Sequence, residues 1–169
     1  MGRPTITAII EERTNNGDFH SMQDFITRMA GVINKRTVEH LILAGAFDTF
    51  GNTRRGMMNV YERMIDSAVK QNKDAISGQM SLFDFVSEED KQSLEMKVPD
   101  IQEFEKEDLL EREKEVLGVY VTGHPLDEYT GMWEKHISAR STDFLIDEET
   151  GQAKLMNGSK QTIGGLISN

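Results

Sequence analysis

The chain has 169 residues, a formal net charge of −10 at pH 7 and no cysteine. Hydrophobic residues make up 37% of it, which allows one or two domains with a modest core. Without cysteine, disulfides and thiolate metal sites are excluded, and no apolar run approaches the roughly 18 residues of a membrane span. We therefore expect a soluble protein with no membrane contact, and a cytoplasmic location fits this composition.

The charge is unevenly distributed along the chain. Residues 1–75 carry 10 Lys and Arg against 9 Asp and Glu, whereas residues 76–169 carry 9 against 20. Clustered basic side chains are what neutralise phosphates. Any DNA contact is therefore expected in the first half, and the acidic second half is expected to be linker and protein-facing surface.

Short helices are predicted at the start of the chain. Pro4 suits the first turn of a helix that ends near Gly17. Ser21, followed by Asp24 three residues later, resembles a capping box that starts a second helix. This second helix is expected to stop at Gly31, because glycine is a poor helix former.

A helix-hairpin-helix unit is predicted across residues 21–45. Asn34 is the expected N-cap of its last helix, which runs to about Ala44, and Gly45 is the expected left-handed C-cap. Such a unit can present turn amides and a helix start to a DNA phosphate. The candidate DNA-binding residues are Gly31, Val32, Ile33, Asn34, Lys35 and Arg36.

The same hairpin has a purely structural interpretation. The usual turn reads Gly-apolar-Gly, but Ile33 stands where a second glycine would let the backbone approach a phosphate closely. A hairpin that only packs within the fold, with the Lys35 and Arg36 side chains in solvent, fits the residues as well.

A longer helix is predicted after Gly51. Apolar residues, several of them methionine, recur every three to four positions until about Lys70 and indicate a core-facing stripe. Arg54 and Arg55 begin this helix and have two interpretations, a DNA contact or a solvated helix end.

Residues 76–100 are interpreted as an irregular linker that carries unburied apolar side chains. The polar, turn-rich flanks have neither helical nor strand periodicity. Large apolar side chains in such a segment are expected to dock on a partner or on the chain's own helices. The segment's centre reads Gln79, Met80, Ser81, Leu82 and Phe83, with Phe85 close by.

The remainder is predicted as a helix, a packed connector and a strand. The helix is expected from about Ile101 until the break at Gly123-His124-Pro125, and the strand at Gln161–Ile167 with a bulge at its glycine pair. His124 is interpreted as part of a turn, since no catalytic triad pattern surrounds it. The histidines and acidic clusters lack metal-ligand spacing, so no metal site is predicted.

Three stretches together resemble a known family. Gln79 to Phe83 resembles the Gln-x-[Ser/Asp]-Leu-Phe peptide by which bacterial DNA polymerases hold the ring-shaped sliding clamp. Asn34–Asp48 and Glu115–Leu126 resemble the alpha (polymerase) subunit of bacterial DNA polymerase III, in the same order and at similar spacing. The resemblance implies the part of that subunit after the fingers, from tandem helix-hairpin-helix region to the first strand of an OB-fold.

The resemblance implies a mainly α fold with four segments. These are a helix-hairpin-helix-type DNA-binding domain in residues 1–75, a linker with the clamp-binding motif in 76–100, a helix and connector in 101–150, and the start of an OB-fold in 151–169. The implied function is an accessory part of a DNA-directed DNA polymerase in replication, which engages duplex DNA and tethers the polymerase to the clamp. Implied partners are DNA, the sliding clamp (beta subunit) and other replisome subunits.

No Asp-x-Asp pair is available in this sequence to carry two magnesium ions. We therefore expect no cofactor and no nucleotidyl transfer in this fragment, whereas Mg²⁺ is expected for the parent polymerase. Two rival interpretations are a clamp-recruited repair or recombination protein and a purely structural helical domain. Burial of Leu82 and Phe83 in the chain's own core would favour the structural domain.

Overall fold

The structure, a computed structural model, describes residues 2–76, 96–148 and 150–165. The chain forms two compact units, Met1–Tyr120 and Val121–Asn169. The helices of the first unit are α1 (Arg3–Asn16), α2 (Met22–Arg28), α3 (Lys35–Leu43), α4 (Arg54–Ile76) and α5 (Lys106–Leu117), and the second unit contains α6 (Thr130–His136). The described residues are mainly helical, as predicted, and no helix among them is long and apolar enough to cross a membrane.

The first two helices begin and end largely where local signals place them. Pro4 lies in the first turn of α1, and Gly17 at φ 84° ends it. The Ser21 hydroxyl accepts a hydrogen bond from the Asp24 backbone N–H at 3.0 Å, and the Asp24 carboxylate accepts one from the His20 N–H at 2.9 Å. The Ser21 cap confirms the predicted start of α2, and Asp24 reaches back to the N–H of His20 rather than to that of Ser21. The helix ends at Arg28, earlier than the predicted Gly31.

The core of the first unit lies between α2, α3 and α4. Burial of each large apolar side chain stabilises the fold by about 1.5–3 kcal/mol, and the Met-rich face of α4 supplies fully buried side chains such as Met57 and Met64. The methionines therefore fill the core, as the periodicity predicts. The buried cluster comprises Met22, Phe25, Ile26, Met29, Ile33, Val38, Ile42, Phe47, Met57, Val60, Tyr61, Met64, Ile65 and Ala68.

Helix α4 runs past its expected end near Lys70, to Ile76. The added residues contain neither glycine nor proline and include strong helix formers. The Asn72 side chain also donates a hydrogen bond to the Ala30 carbonyl at 3.3 Å. This contact connects the end of α4 to the hairpin turn.

Helix α5 begins later and ends earlier than the sequence predicts. It starts at Lys106 rather than near Ile101, because residues 96–104 are not helical and instead contact the core and the start of α4. It ends at Gly118, whose φ of 77° stops the helix. The predicted break at Gly123-His124-Pro125 is therefore wrong as the helix end, since a left-handed glycine ends the helix first.

The second unit has little regular structure in its described residues. An isolated antiparallel bridge joins Ile146 and Ala153. An ideal Cβ on Gly164 would collide with the Trp133 ring, so the backbone of residue 164 packs directly on that indole. The predicted connector therefore packs at Trp133, whereas its Phe144 and Leu145 side chains are exposed.

The predicted strand at Gln161–Ile167 is not confirmed. Residues 161–165 form no strand, and Leu166 and Ile167 lie outside the described residues. Instead, the Ser138 N–H donates to the Thr162 carbonyl at 3.0 Å, and the Thr162 N–H donates to the Ser138 hydroxyl at 2.9 Å. A segment with no neighbouring strand among the described residues has no ladder to join, so its backbone groups pair with a loop.

Candidate nucleic-acid interface

The turn between α2 and α3 is tight and closes on one carbonyl. The backbone N–H groups of Val32 and Ile33 donate to the Met29 carbonyl at 3.0 and 3.2 Å. Gly31 takes φ 92°, a conformation that suits glycine because a Cβ would be strained there. Val32 is 49% exposed, whereas Ile33 is buried. Ile33 thus anchors the turn in the core, and Val32 faces solvent.

Helix α3 begins directly after this turn with a side-chain cap. The Asn34 side-chain oxygen accepts from the Thr37 N–H at 2.8 Å, which confirms Asn34 as the N-cap. The next two residues are Lys35 and Arg36, and the Arg36 side chain is exposed. Because a helix start carries partial positive charge, two basic side chains there make this end of the unit favourable for an anion.

Lys35 is held by acidic residues of α4. Its ammonium lies 3.0 Å from the Asp66 carboxylate and 3.2 Å from that of Glu62. Hydrogen bonding to Asp66 and then to Glu62 raises the pKa of Lys35. All three side chains are at least 43% exposed, so solvent screens the pairs. Lys35 is therefore a partly neutralised cation at the start of α3.

Helix α4 begins with a similar sequence, Thr53-Arg54-Arg55, but its first arginine has a different environment. Arg54 is only 2% exposed. Its guanidinium donates to both carboxylate oxygens of Asp48, at 2.9 and 2.6 Å, and to the Leu43 carbonyl at 3.0 Å. It also lies 3.5 Å from the carboxylate of Glu113, which is fully buried. Hydrogen bonding to Asp48 raises the pKa of Arg54, so the group stays charged.

The backbone at the start of α4 is closed by a distant carboxylate. Glu103 accepts from the N–H of Arg54 at 2.6 Å and from the N–H of Arg55 at 2.9 Å. The Thr53 hydroxyl accepts from the Gly56 N–H at 3.0 Å and donates to the Ile101 carbonyl at 3.0 Å. The N–H groups that a helix start could offer to a ligand are therefore used within the chain.

The structure corrects both sequence interpretations of Arg54. The residue is neither a DNA contact nor a solvated helix end, because its guanidinium is buried and bonded on three sides. Arg55 is exposed, which is compatible with both interpretations of that residue.

Comparisons with known proteins agree on one family. A family model described as a helix-hairpin-helix motif matches residues 1–57. Over 99% of its own residues, the chain is 36% identical to the DNA polymerase III subunit alpha of Vibrio cholerae. It is 34% identical to that of Chlamydia pneumoniae over 89%, and 33% identical to that of Escherichia coli K12 over 90%.

The chain belongs to the family of bacterial DNA polymerase III alpha subunits. It spans only 13–14% of the length of these relatives. The family resemblance drawn from three short stretches of sequence is thereby confirmed. The helix-hairpin-helix match extends through α1, α2 and α3 to the first turn of α4, so it includes both basic helix starts of this alpha-subunit family member.

The proposed clamp-binding residues cannot be compared with this geometry. Gln79, Met80, Ser81, Leu82 and Phe83 lie outside the described residues, so their assignment stays a prediction. Within the described ranges, no group of three or more His, Asp or Glu side chains could hold a metal ion.

Sequence reasoning missed the residues that organise the start of α4. Asp48, Glu103 and Glu113 are separated from Arg54 by 6, 49 and 59 positions, and no local pattern connects such positions. A weak signal existed at Glu113, which occupies an inward position of α5 beside the buried Leu110. A glutamate on an apolar helix face requires a buried cation, and Arg54 supplies it.

Proposed function

We propose that this chain is a region of a replicative DNA polymerase that contacts duplex DNA through its hairpin and tethers the polymerase to a sliding clamp through Gln79 to Phe83. Similarity to alpha subunits favours this function over that of a clamp-recruited repair protein. The polymerase activity of the whole protein, its use of Mg²⁺ and its other replisome partners belong to the same proposal.

The exposed start of α3 carries the DNA half of the proposal. It combines a helix start, the exposed guanidinium of Arg36 and the screened ammonium of Lys35 within three consecutive residues. Charges and amides of this kind contact phosphates and carry no base-reading pattern. The expected binding is weak, independent of sequence and sensitive to salt.

The DNA half is tested by reversing Lys35 and Arg36 to Glu. Fluorescence anisotropy with a labelled duplex should show weaker binding, and the salt slope should fall by roughly one unit of log affinity per log salt for each phosphate that the variant no longer neutralises. The matched control is Arg63→Glu with Lys70→Glu, which changes the net charge equally at two exposed positions of α4. A decrease of equal size in both variants would show that only net charge matters.

The clamp half is supported by the motif and the chemistry of its side chains. The Gln79 amide both donates and accepts, which suits a polar pocket. Leu82 and Phe83 offer adjacent apolar side chains, each of which stabilises a complex by about 1.5–3 kcal/mol when buried. Ser81 is small, and Met80 is an adaptable filler.

The clamp half is tested by titrating a peptide of residues 76–87 against a bacterial sliding clamp. Leu82→Ala or Phe83→Ala should weaken binding roughly ten- to a hundredfold, and Gln79→Ala should cost about 1–3 kcal/mol if it leaves buried clamp groups unpaired. Calorimetry of the native peptide beside the Leu82→Ala/Phe83→Ala double variant decides the matter. Equal affinity of the two peptides would refute the assignment.

A further inference from the structure

Residues 96–113 pack across the start of α4 through apolar and backbone contacts. Met96 and Val98 lie against the hydrophobic core of the first unit. The Pro99 carbonyl approaches α4 so closely that an ideal Cβ on Gly56 would lie 2.7 Å from it. Any larger residue at position 56 would force the two segments apart.

The polar contacts of this segment converge on the same end of α4. Glu103 holds the N–H groups of Arg54 and Arg55, and the Ile101 carbonyl accepts from Thr53. The acceptors of these hydrogen bonds all come from residues 96–113. One of them is a carboxylate, and bonds to charged acceptors are about twice as strong as neutral ones.

The buried pair of Arg54 and Glu113 joins α5 to the same place. Arg54 is 2% exposed and Glu113 is fully buried. Removing one partner of such a pair is strongly destabilising, because the charge of the other partner stays buried. The pair therefore specifies where α5 docks.

We propose that Arg54, Gly56 and the adjoining backbone form an internal docking site that holds residues 96–113 without help from the covalent connection through residues 77–95. The segment that binds this site is acidic and contributes two carboxylates ten residues apart, those of Glu103 and Glu113. One consequence rests on the proposed function: the chain that carries the proposed clamp motif leaves from and returns to one compact unit, instead of joining two separately moving bodies.

Cutting the covalent connection tests the docking site directly. A protease recognition sequence replaces residues 87–93 of the full chain, which is then cleaved and passed through a size-exclusion column at low micromolar concentration. The two pieces should elute together as one species. Separate elution of the pieces would overturn the proposal.

Variants of the cleaved chain test which residues hold the segment. Glu103→Gln keeps the shape but removes the charge, and should weaken association of the pieces roughly five- to tenfold. Gly56→Ala should also weaken it, although alanine normally favours a helix over glycine, so its effect separates docking from helix stability. Arg63→Met, at an exposed position of α4 away from residues 96–113, is the control and should leave association unchanged. Association that neither Glu103→Gln nor Gly56→Ala weakens would also overturn the proposal.

An immobilised bacterial clamp separates this inference from the proposed function. If both hold, the clamp retains the piece that contains Gln79 to Phe83, and the docked piece is retained with it. Retention of the first piece without the second would overturn the docking site and leave clamp binding standing. Retention of neither piece would overturn clamp binding alone, because the size-exclusion result is independent of the clamp.

Discussion

Two helix starts in the first unit share the pattern of a capping residue followed by two basic residues, but their surroundings differ. Helix α3 begins Asn34-Lys35-Arg36, and helix α4 begins Thr53-Arg54-Arg55. In α3 the basic pair faces solvent and is only partly neutralised by exposed acids. In α4 the first arginine is buried and the backbone is capped by Glu103. The pattern of a cap followed by two cations therefore does not by itself identify a DNA contact.

The difference arises from which acidic residues the fold brings to each start. Glu62 and Asp66 reach Lys35 from the exposed side of α4, where solvent screens them. Glu113 reaches Arg54 from a helix that covers it, where little solvent remains. The ion pairs of Lys35 at the start of α3 are therefore exposed and screened, whereas the pair of Arg54 with Glu113 is a buried part of the fold.

The largest expected effect is that of Arg54→Met. It removes the guanidinium that lies beside the buried Glu113 carboxylate, and breaking such a buried pair costs about 3–5 kcal/mol. Urea denaturation should show this decrease in the free energy of unfolding. Arg55→Met, at the exposed neighbouring position, should change it by less than about 0.5 kcal/mol. Similar small decreases in both variants would mean that the two arginines do not differ.

Gly45→Ala should be next in size. Gly45 has φ 76°, and an added Cβ would collide with the Arg54 guanidinium and the Asp48 carboxylate. Gly51 has φ 77° with nothing within 4 Å of its ideal Cβ, so Gly51→Ala measures the backbone strain alone, roughly 1–2 kcal/mol. Thermal and urea unfolding should show a larger destabilisation for Gly45→Ala. Equal destabilisation would show that Arg54 adjusts freely.

A smaller effect is expected at α3 from Glu62→Gln with Asp66→Asn. Removing these carboxylates frees Lys35 for phosphates, so duplex affinity should rise roughly two- to fivefold at low salt. The control is Glu111→Gln with Glu115→Gln, which changes the net charge equally on exposed positions of α5. Anisotropy titrations of both variants compare the local and global effects. A rise of the same size in the control would assign the gain to net charge.

The smallest effect concerns a pair outside both helix starts, Arg28 with Glu12 at 2.9 Å. Hydrogen bonding to Arg28 lowers the pKa of Glu12. Because the folded pKa lies below the unfolded one, the stabilisation is present above the ordinary glutamate pKa and is lost as pH falls through the folded value. Glu12→Gln should therefore flatten the acid side of the stability profile, measured as urea midpoints against pH. An unchanged profile would show that this partly buried pair contributes nothing.

Local sequence signals predicted the starts of α1 to α4 because their causes are local. Ser21 and Asn34 cap α2 and α3 as expected, and Gly45 takes the left-handed conformation. The periodic apolar face of α4 is buried as predicted. Each of these features depends on residues within a few positions of one another, so the sequence displays cause and effect together.

The errors have causes that lie elsewhere in the chain. The start of α5 and the surroundings of Arg54 depend on contacts between residues 96–113 and α4, and the predicted strand depended on a neighbour that the described residues do not supply. The sequence by itself determined the family, the helical class and the local caps. Tertiary structure alone decided which of two basic helix starts stays open to solvent, because charge burial depends on carboxylates that are distant in sequence and adjacent only after folding.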